Sequence, residues 1–311
     1  LEAFETYRPE VVLLELFPFG RKKFAFELDP LLAAMRALGD DRPRVVCSLR
    51  DILVNQRRDQ ARHDERAAVA ANDYLDAILV HSDPRFARLE ESFRPATPLR
   101  VPVFHTGFVT ATHEVANSDT TERLARVIVS SGGGMVGEPI VRTAVAAHRD
   151  IHARSGLTTT IVAGPFLPEP VWSWLVAAAA ESPLLDVVRQ VDDLAREIRR
   201  SAVTVSQCGY NTTMDLLRAR TPAIVVPYSD GKEDEQRRRA DRLAALGVLT
   251  ALAADRLSPT SRAGAVVDAV GRTTRGTDLD LDGADTSARI IASLAPIGRA
   301  EQNPAHEGAV A

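Results

Sequence analysis

The chain has 311 residues, 45% hydrophobic and 26% charged, with a net charge of -4. That length exceeds the usual single core, so one or two domains are expected; the composition excludes a disordered chain, and the mild negative charge excludes a general basic field for nucleic acid. The two cysteines, Cys47 and Cys208, lie far apart with no CxxC or Cys/His set, which argues against structural zinc and for a reducing, cytoplasmic compartment. No apolar run is long enough to span a bilayer, and no charged-then-apolar start reads as a signal peptide. The first residue is Leu1 and the first methionine is Met35, so a segment upstream is expected.

Short apolar runs at 11–16, 45–49 and 77–80 read as buried strands, separated by segments of helical composition around 27–38 and 57–74. A further strand is expected near 101–104. The polar stretch "HTGFVTATHEVANSDTT" (105–121) then reads as a linker between lobes. The rhythm restarts with strands at 126–129, 160–162, 184–188, 203–205, 223–226 and 248–252. Helices alternate with them: one from Glu138, then others near 170–180, 192–200, 213–220 and 233–246. Such alternation implies parallel sheets covered on both faces, hence an α/β protein of two Rossmann-like lobes. The expected division is 1–110, 122–285, and a C-terminal helix with a frayed tail at 286–311. Ligands in such sheets bind at the carboxyl ends of the strands.

Three strand-to-helix loops carry the chemistry. In "SQCGYNTTMD" (206–215), free backbone N–H groups and the helix dipole favour an anion. Gly209 can take a backbone angle closed to other residues and lets a ligand approach the main chain. Asn211, Thr212 and Thr213 supply a cap and donors, and Asp215, on the first helical turn, is an acceptor suited to a pair of ribose hydroxyls. Plain helix capping by Asn211 and Thr212 explains the same residues equally well. In "SSGGGMVGEP" (130–139), the glycines expose backbone ahead of Glu138 and Pro139. The spacing is neither a P-loop nor GxGxxG, and a tight structural turn has equal weight. In "PYSDGKEDEQRRRADRL" (227–243), Asp230-Gly231 is read as a turn, and Glu235 and Gln236 suit sugar hydroxyls. Arg237, Arg238 and Arg239 are expected to form a solvated helix face.

The stretch 203–243 resembles the C-terminal donor-binding lobe of two-lobed (GT-B) glycosyltransferases. It is most similar to the bacterial N-acetylglucosaminyltransferases that make the lipid-linked peptidoglycan precursor, of the glycosyltransferase family 28 type. Over most of 1–295 the chain resembles a bacterial group called "predicted glycosyltransferases", on "ELFPFGRKKFAFEL" (15–28), "CSLRDILV" (47–54) and "CGYNTTMDLL" (208–217). The resemblance implies transfer of a sugar from a nucleotide-diphosphate donor, a UDP-sugar, by inverting displacement at the anomeric carbon, with no metal or cofactor. Gly209 and the N–H groups at 211–213 then face the diphosphate, with Gly133 and Gly134 approaching diphosphate or sugar. Asp215 matches the ribose-binding acidic residue, which is usually Glu. Val191, in "RQVDDL" (189–194), matches the residue whose backbone meets the base. Glu235 and Gln236 match the pair facing the donor sugar, where the peptidoglycan enzymes carry Gln-Gln.

The N-terminal lobe is then the acceptor side, with Arg21 and Lys22 beside Lys23 facing an anionic acceptor or forming a solvated basic turn. The general base is unassigned. Asp51, His81 and His105 stand at carboxyl ends of strands as weak candidates, each with a structural reading beside the catalytic one. The family's histidine-bearing glycine-rich loop and its first strand–helix units have no counterpart here. The N-terminal lobe is therefore expected to be incomplete, and turnover by these residues to suffer. Two other readings stay open: a nucleotide-sugar epimerase of the same fold and a non-catalytic nucleotide-sugar-binding protein. Nucleic acid is not an expected partner. The acceptor, peripheral membrane association and oligomeric state are left open.

Overall fold

The structure, a computed structural model, describes residues 2–110, 123–228, 234–253, 257–272 and 277–295. In chain order the elements are α1 (Glu2–Tyr7), β1 (Val11–Glu15), α2 (Ala25–Ala37), β2 (Arg44–Arg50), α3 (Gln60–Tyr74), β3 (Ala77–His81) and β4 (Val103–His105). They continue with β5 (Leu124–Ser130), α4 (Glu138–Ser155), β6 (Thr158–Val162), α5 (Glu169–Ala180), β7 (Leu185–Val188), α6 (Leu194–Arg199), β8 (Ser201–Ser206) and α7 (Tyr210–Ala219). The last are β9 (Ala223–Val225), α8 (Glu235–Ala245), β10 (Thr250–Ala251), α9 (Pro259–Ala269) and α10 (Gly283–Leu294). Among the described residues, no helix is long and apolar enough to cross a membrane.

The α/β expectation holds, and the reasons are local. The run Ala77 to Val80 is buried at every position without alternation, as a strand covered on both faces must be. Helix α4 opens on Gly137 and Pro139 and stops at Gly156, whose φ of 73° no ordinary residue adopts cheaply. Helix α9 was not among the expected elements, although Ser258 and Ser261 form a reciprocal capping pair ahead of it, with Pro259 in the first turn.

The chain divides into two compact units. One comprises Leu1–Asp51, Asp59–Phe108 and Asp280–Ala311; the other comprises Ile52–Arg58 and Val109–Leu279. This differs from the expected boundaries at 110, 122 and 285. The last helix is not a separate appendage: Ile290, Ile291 and Leu294 of α10 pack on Val11, Val46, Ala77 and Leu79 of the N-terminal sheet. Its entry is pinned by Phe108 N–H donating to Asp280 O at 2.8 Å and Gly283 N–H donating to Phe108 O at 3.0 Å. Most of the expected linker, 111–121, and the expected frayed tail from 297 lie outside the described residues.

The N-terminal unit holds a four-stranded parallel sheet in the order β1-β2-β3-β4. The C-terminal unit holds a six-stranded parallel sheet in the order β10-β9-β8-β5-β6-β7. Helices α4, α5 and α9 close one face of the second sheet over Val127, Val129, Val203, Val205 and Ile161. Winding starts at β5, runs outward through β6 and β7, then returns to β8 on the other side and runs outward to β10. That is a doubly wound sheet, and its direction reverses between β5 and β8.

Candidate functional site

A reversal of winding opens a crevice at the carboxyl ends of the two strands that flank it. Here the flanking loops are 130–137 after β5 and 206–209 after β8, two of the three singled out from sequence. Ser130 and Ser206, the last residues of the strands, stand side by side in register. Gln207 Nε2 then bridges the loops by donating to Val136 O at 3.1 Å.

The glycines in these loops exist for opposite reasons. Gly134 has φ 92°, and a Cβ there would sit 2.6 Å from Leu167 N and 2.7 Å from Ala163 O, so the protein itself requires a glycine. Phe166 N–H donating to Gly133 O at 2.9 Å and Ser131 Oγ donating to Ala163 O close the same packing. Gly209 contradicts the sequence expectation of a special backbone angle: its φ of -64° and ψ of 154° are ordinary extended values for a helix N-cap. A Cβ there would meet nothing within 4 Å. What Gly209 provides is open space against the main chain at the start of α7.

Helix α7 starts at Tyr210 rather than 213, which moves Asp215 from the first turn to the second. Asp215 therefore lies on one helix face with Asn211, four residues earlier. Asn211 is exposed, Thr212 and Asp215 are half-buried, and Thr213 is buried. Thr213 gives both its N–H and its Oγ1 proton to Gly209 O, each at 2.9 Å, so it holds the turn. The N–H groups of Asn211 and Thr212 precede that first helical hydrogen bond and lie at the positive end of the dipole.

Helix α8 fixes the turn from the other side. Gln236 Oε1 accepts from Cys208 N–H at 3.2 Å and Tyr228 N–H at 3.1 Å, tying the loop after β8 to the loop after β9. Two backbone donors set the amide orientation and fill both lone pairs, so the side chain keeps only its Nε2 donor for a ligand. Arg239 is a correction to the expected solvated arginine face. It is 1% exposed, donates Nη1 to Cys208 O at 2.7 Å and lies 5.9 Å from the centre of the Tyr210 ring. Only Arg237 of the three is exposed. The signal was present in the spacing: Gln236, Arg239, Ala240 and Leu243 fall on one inward face of α8. Asp234 stands buried at the N-cap position of α8, where its side chain makes no capping hydrogen bond and instead accepts from Gln56 Nε2 at 3.0 Å. Glu235 is half-buried beside it, and the expected turn at Asp230-Gly231 lies outside the described residues.

The rim continues across the sheet. Arg189 Nη1 donates to Pro165 O and Leu167 O at 3.4 and 3.3 Å, tying the loop after β7 to the loop after β6. Val191 follows half-buried, and Asp193 caps α6 by accepting from Arg196 N–H at 2.8 Å. Phe166 and Met135 stand 67% and 73% exposed on the bound-together loops. The structure thus brings Gly133, Gly134, Val191, Gly209, Asn211, Thr212, Thr213, Asp215, Glu235 and Gln236 to the carboxyl side of one sheet.

The other candidates belong to the N-terminal unit. Arg21 Nη2 donates to Glu15 Oε2 at 3.0 Å, and Arg50 Nη2 to Glu15 Oε1 at 3.2 Å, while Lys22 is exposed at the start of a short turn. Asp51 is buried directly after β2. His105 ends β4 with its Nε2 buried away from any hydrogen-bond partner, and burial holds its pKa below the usual histidine value. His81 ends β3 in a defined network: Ser48 Oγ lies 2.6 Å from its Nε2, and Thr106 Oγ1 lies 3.0 Å from its Nδ1. Burial pushes the His81 imidazole down to about 4.

Residues 146–271 match the glycosyltransferase family 28 C-terminal domain. An uncharacterized glycosyltransferase of Methanopyrus kandleri is 27% identical over 167 residues, which are 53% of this chain and 44% of that protein. The chain therefore spans under half the length of this curated relative. Among solved structures, the fold is similar to that of the calicheamicin glycosyltransferase, with TM-score 0.55 and 18% identity over 94% of this chain and 74% of that one. It is also similar to MurG of Acinetobacter baumannii, with TM-score 0.51 and 13% identity over 94% and 76% of the respective chains.

Proposed function

We propose, from the match of residues 146–271 to the glycosyltransferase family 28 C-terminal domain, that the protein transfers a sugar from a UDP-type nucleotide diphosphate to a hydroxyl acceptor by metal-independent, inverting displacement. The observation that carries this reading is the open approach at Gly209, beside the point where the sheet's winding reverses. A diphosphate there meets the N–H groups that open α7, and charge that develops on it as the sugar leaves is met by donors already in position. Asp215, one turn along the same face as Asn211, is suited to the ribose hydroxyls. Gly133 offers its backbone from the facing loop, and Val191 and Glu235 extend the rim toward base and sugar.

Calorimetric titration with UDP, dTDP and GDP, with and without EDTA, tests the donor site. Tight binding of UDP, unchanged by the chelator and weakened at least about tenfold in Asp215→Ala, supports the reading, since a lost charged hydrogen bond costs roughly 1.5–3 kcal/mol. Failure of all three nucleotides to bind sinks it. Nucleotide release that requires an added hydroxyl compound supports transfer. Release without one, leaving a rearranged sugar, favours an epimerase instead.

A further inference from the structure

Arg262, in the first turn of α9, is fully buried, yet its guanidinium is only partly satisfied. Nη1 donates to Ile140 O, in the first turn of α4, at 2.8 Å. Nε and Nη2, which form the other edge of the fork, are buried with no hydrogen-bond partner. Burial pulls the pKa down only to about 10, so the side chain is still a cation at neutral pH, and among the described residues it has no ion pair. The surroundings add to the imbalance. Two helices bring the positive ends of their dipoles to this point. No acidic residue occupies the first turn of α9, and the one in α4, Glu138, accepts from Arg142 Nε at 2.7 Å. Ile140 and Val141 of α4 and Ala263 and Val266 of α9 belong to the apolar core of the unit, where an uncompensated cation is destabilising. Directly ahead of α4 lies the loop 130–137, with Gly133 exposed on the rim. At 1.5 Å per helical residue, Ile140 is only about 5 Å along the axis from Gly137. A charge in apolar surroundings acts over more than that length, because little water screens it.

We propose that Arg262 is a fixed counter-charge for the nucleotide diphosphate: from behind the head of α4 it raises the affinity for that anion without touching it, and it destabilises the empty protein. The inference rests on the sugar-transfer reading above, and every residue it uses belongs to the C-terminal unit. The guanidinium and the two helix starts all favour negative charge at the loop 130–137. The chain supplies none there among the described residues, so the arrangement is balanced only when an anion arrives from outside. Arg262 touches no reacting atom and is therefore a positioning residue for the donor, acting through the first turn of α4. An uncharged nucleoside gains nothing from it, whereas a diphosphate does.

The test compares wild type with Arg262→Met and Arg262→Gln. It measures affinity for UDP and for uridine by calorimetry, and the melting temperature of the empty protein. Both variants are expected to lose about tenfold or more in UDP affinity, the effect of unit charges about 10 Å apart in protein surroundings, with uridine affinity within about twofold. Arg262→Met is expected to melt at least about 2 °C above wild type, because an unpaired buried cation gives way to an apolar side chain. Binding lost while stability is gained is the mark of a counter-charge. A melting temperature of Arg262→Met below that of wild type, or equal losses for UDP and uridine, assigns Arg262 a structural part and overturns the proposal. Arg262→Gln keeps an N–H donor for Ile140 O, so full UDP affinity in that variant would credit the hydrogen bond and not the charge, which also overturns it. Unchanged UDP affinity in both variants overturns the counter-charge and leaves the donor site standing. Failure of both variants to fold overturns it too, since Arg262 would then hold the fold. Absence of UDP binding in wild type overturns the sugar-transfer reading itself, and the counter-charge with it.

Discussion

The carboxyl edges of the two sheets solve the same problem with different materials. In the six-stranded sheet, the edge is lined by backbone, and side chains work behind it: Gln236 and Arg239 grip the Cys208 peptide from both sides, Arg189 grips the loop after β6, and Gln207 bridges the reversal. In the four-stranded sheet, the strands run in sequence order with no reversal, and the edge carries its polar groups as side chains in register, from Glu15 through Ser48, Arg50 and His81 to Thr106. Where winding reverses, helix starts and main-chain donors supply a site suited to an anion. Where it does not, the polar groups at the edge are side chains on the strands themselves.

The sharpest way to break this contrast is at Gly134. If the donor rim is rigid backbone, Gly134→Ala forces a left-handed angle and a clash with Leu167 and Ala163 main chain, and is expected to cost about 3–4 kcal/mol by urea unfolding. A cost under about 1 kcal/mol would mean that the rim yields and its geometry is not preset. The side-chain edge is probed by acid. With the His81 pKa at about 4 when folded and about 6.5 when unfolded, the unfolded chain binds the extra proton between those values. The stability due to the neutral imidazole is complete above about pH 6.5 and falls by about 3 kcal/mol as the pH drops to about 4. His81→Gln is expected to flatten that slope in urea titrations across the window. A smaller effect belongs to Gln236→Leu: two part-buried N–H groups lose their acceptor, for about 2 kcal/mol, with weaker nucleotide binding because the Cys208 turn loosens.

The sequence made the loops of the donor rim legible because glycine, hydroxyl and amide residues between a β-branched run and a helical run announce a strand-to-helix turn. It did not make their neighbours legible. That the loops at 130 and 206 flank one crevice depends on β5 pairing with β8, a crossover that no local pattern encodes. Gly134 and Gly209 looked alike, since a one-dimensional string records the missing Cβ and not what would have met it. Arg239 was masked by two arginines before it, although its spacing from Gln236 and Leu243 placed it inward. The His81 network was invisible for the same reason as the crossover: Ser48 and Thr106 stand 33 and 25 residues from His81, and only the register of three strands brings them together. Each histidine read alone was an ordinary candidate.

Gly209→Ala is the smallest change in stability and the most telling comparison with Gly134. Its backbone angles suit any residue and the new methyl meets no protein atom, so unfolding is expected to shift by less than about 0.5 kcal/mol. Replacing glycine even trims the entropy of the unfolded chain, which works against any loss. Space that the protein does not use is then left for a ligand, and the methyl should exclude it: UDP affinity in calorimetry is expected to fall about tenfold, equivalent to about 1.4 kcal/mol. Stability kept while binding is lost assigns the open face of Gly209 to the diphosphate. Binding kept at full strength would put the nucleotide elsewhere on the sheet edge, since no phosphate can approach the Gly209 main chain closely enough for hydrogen bonding without meeting that methyl group.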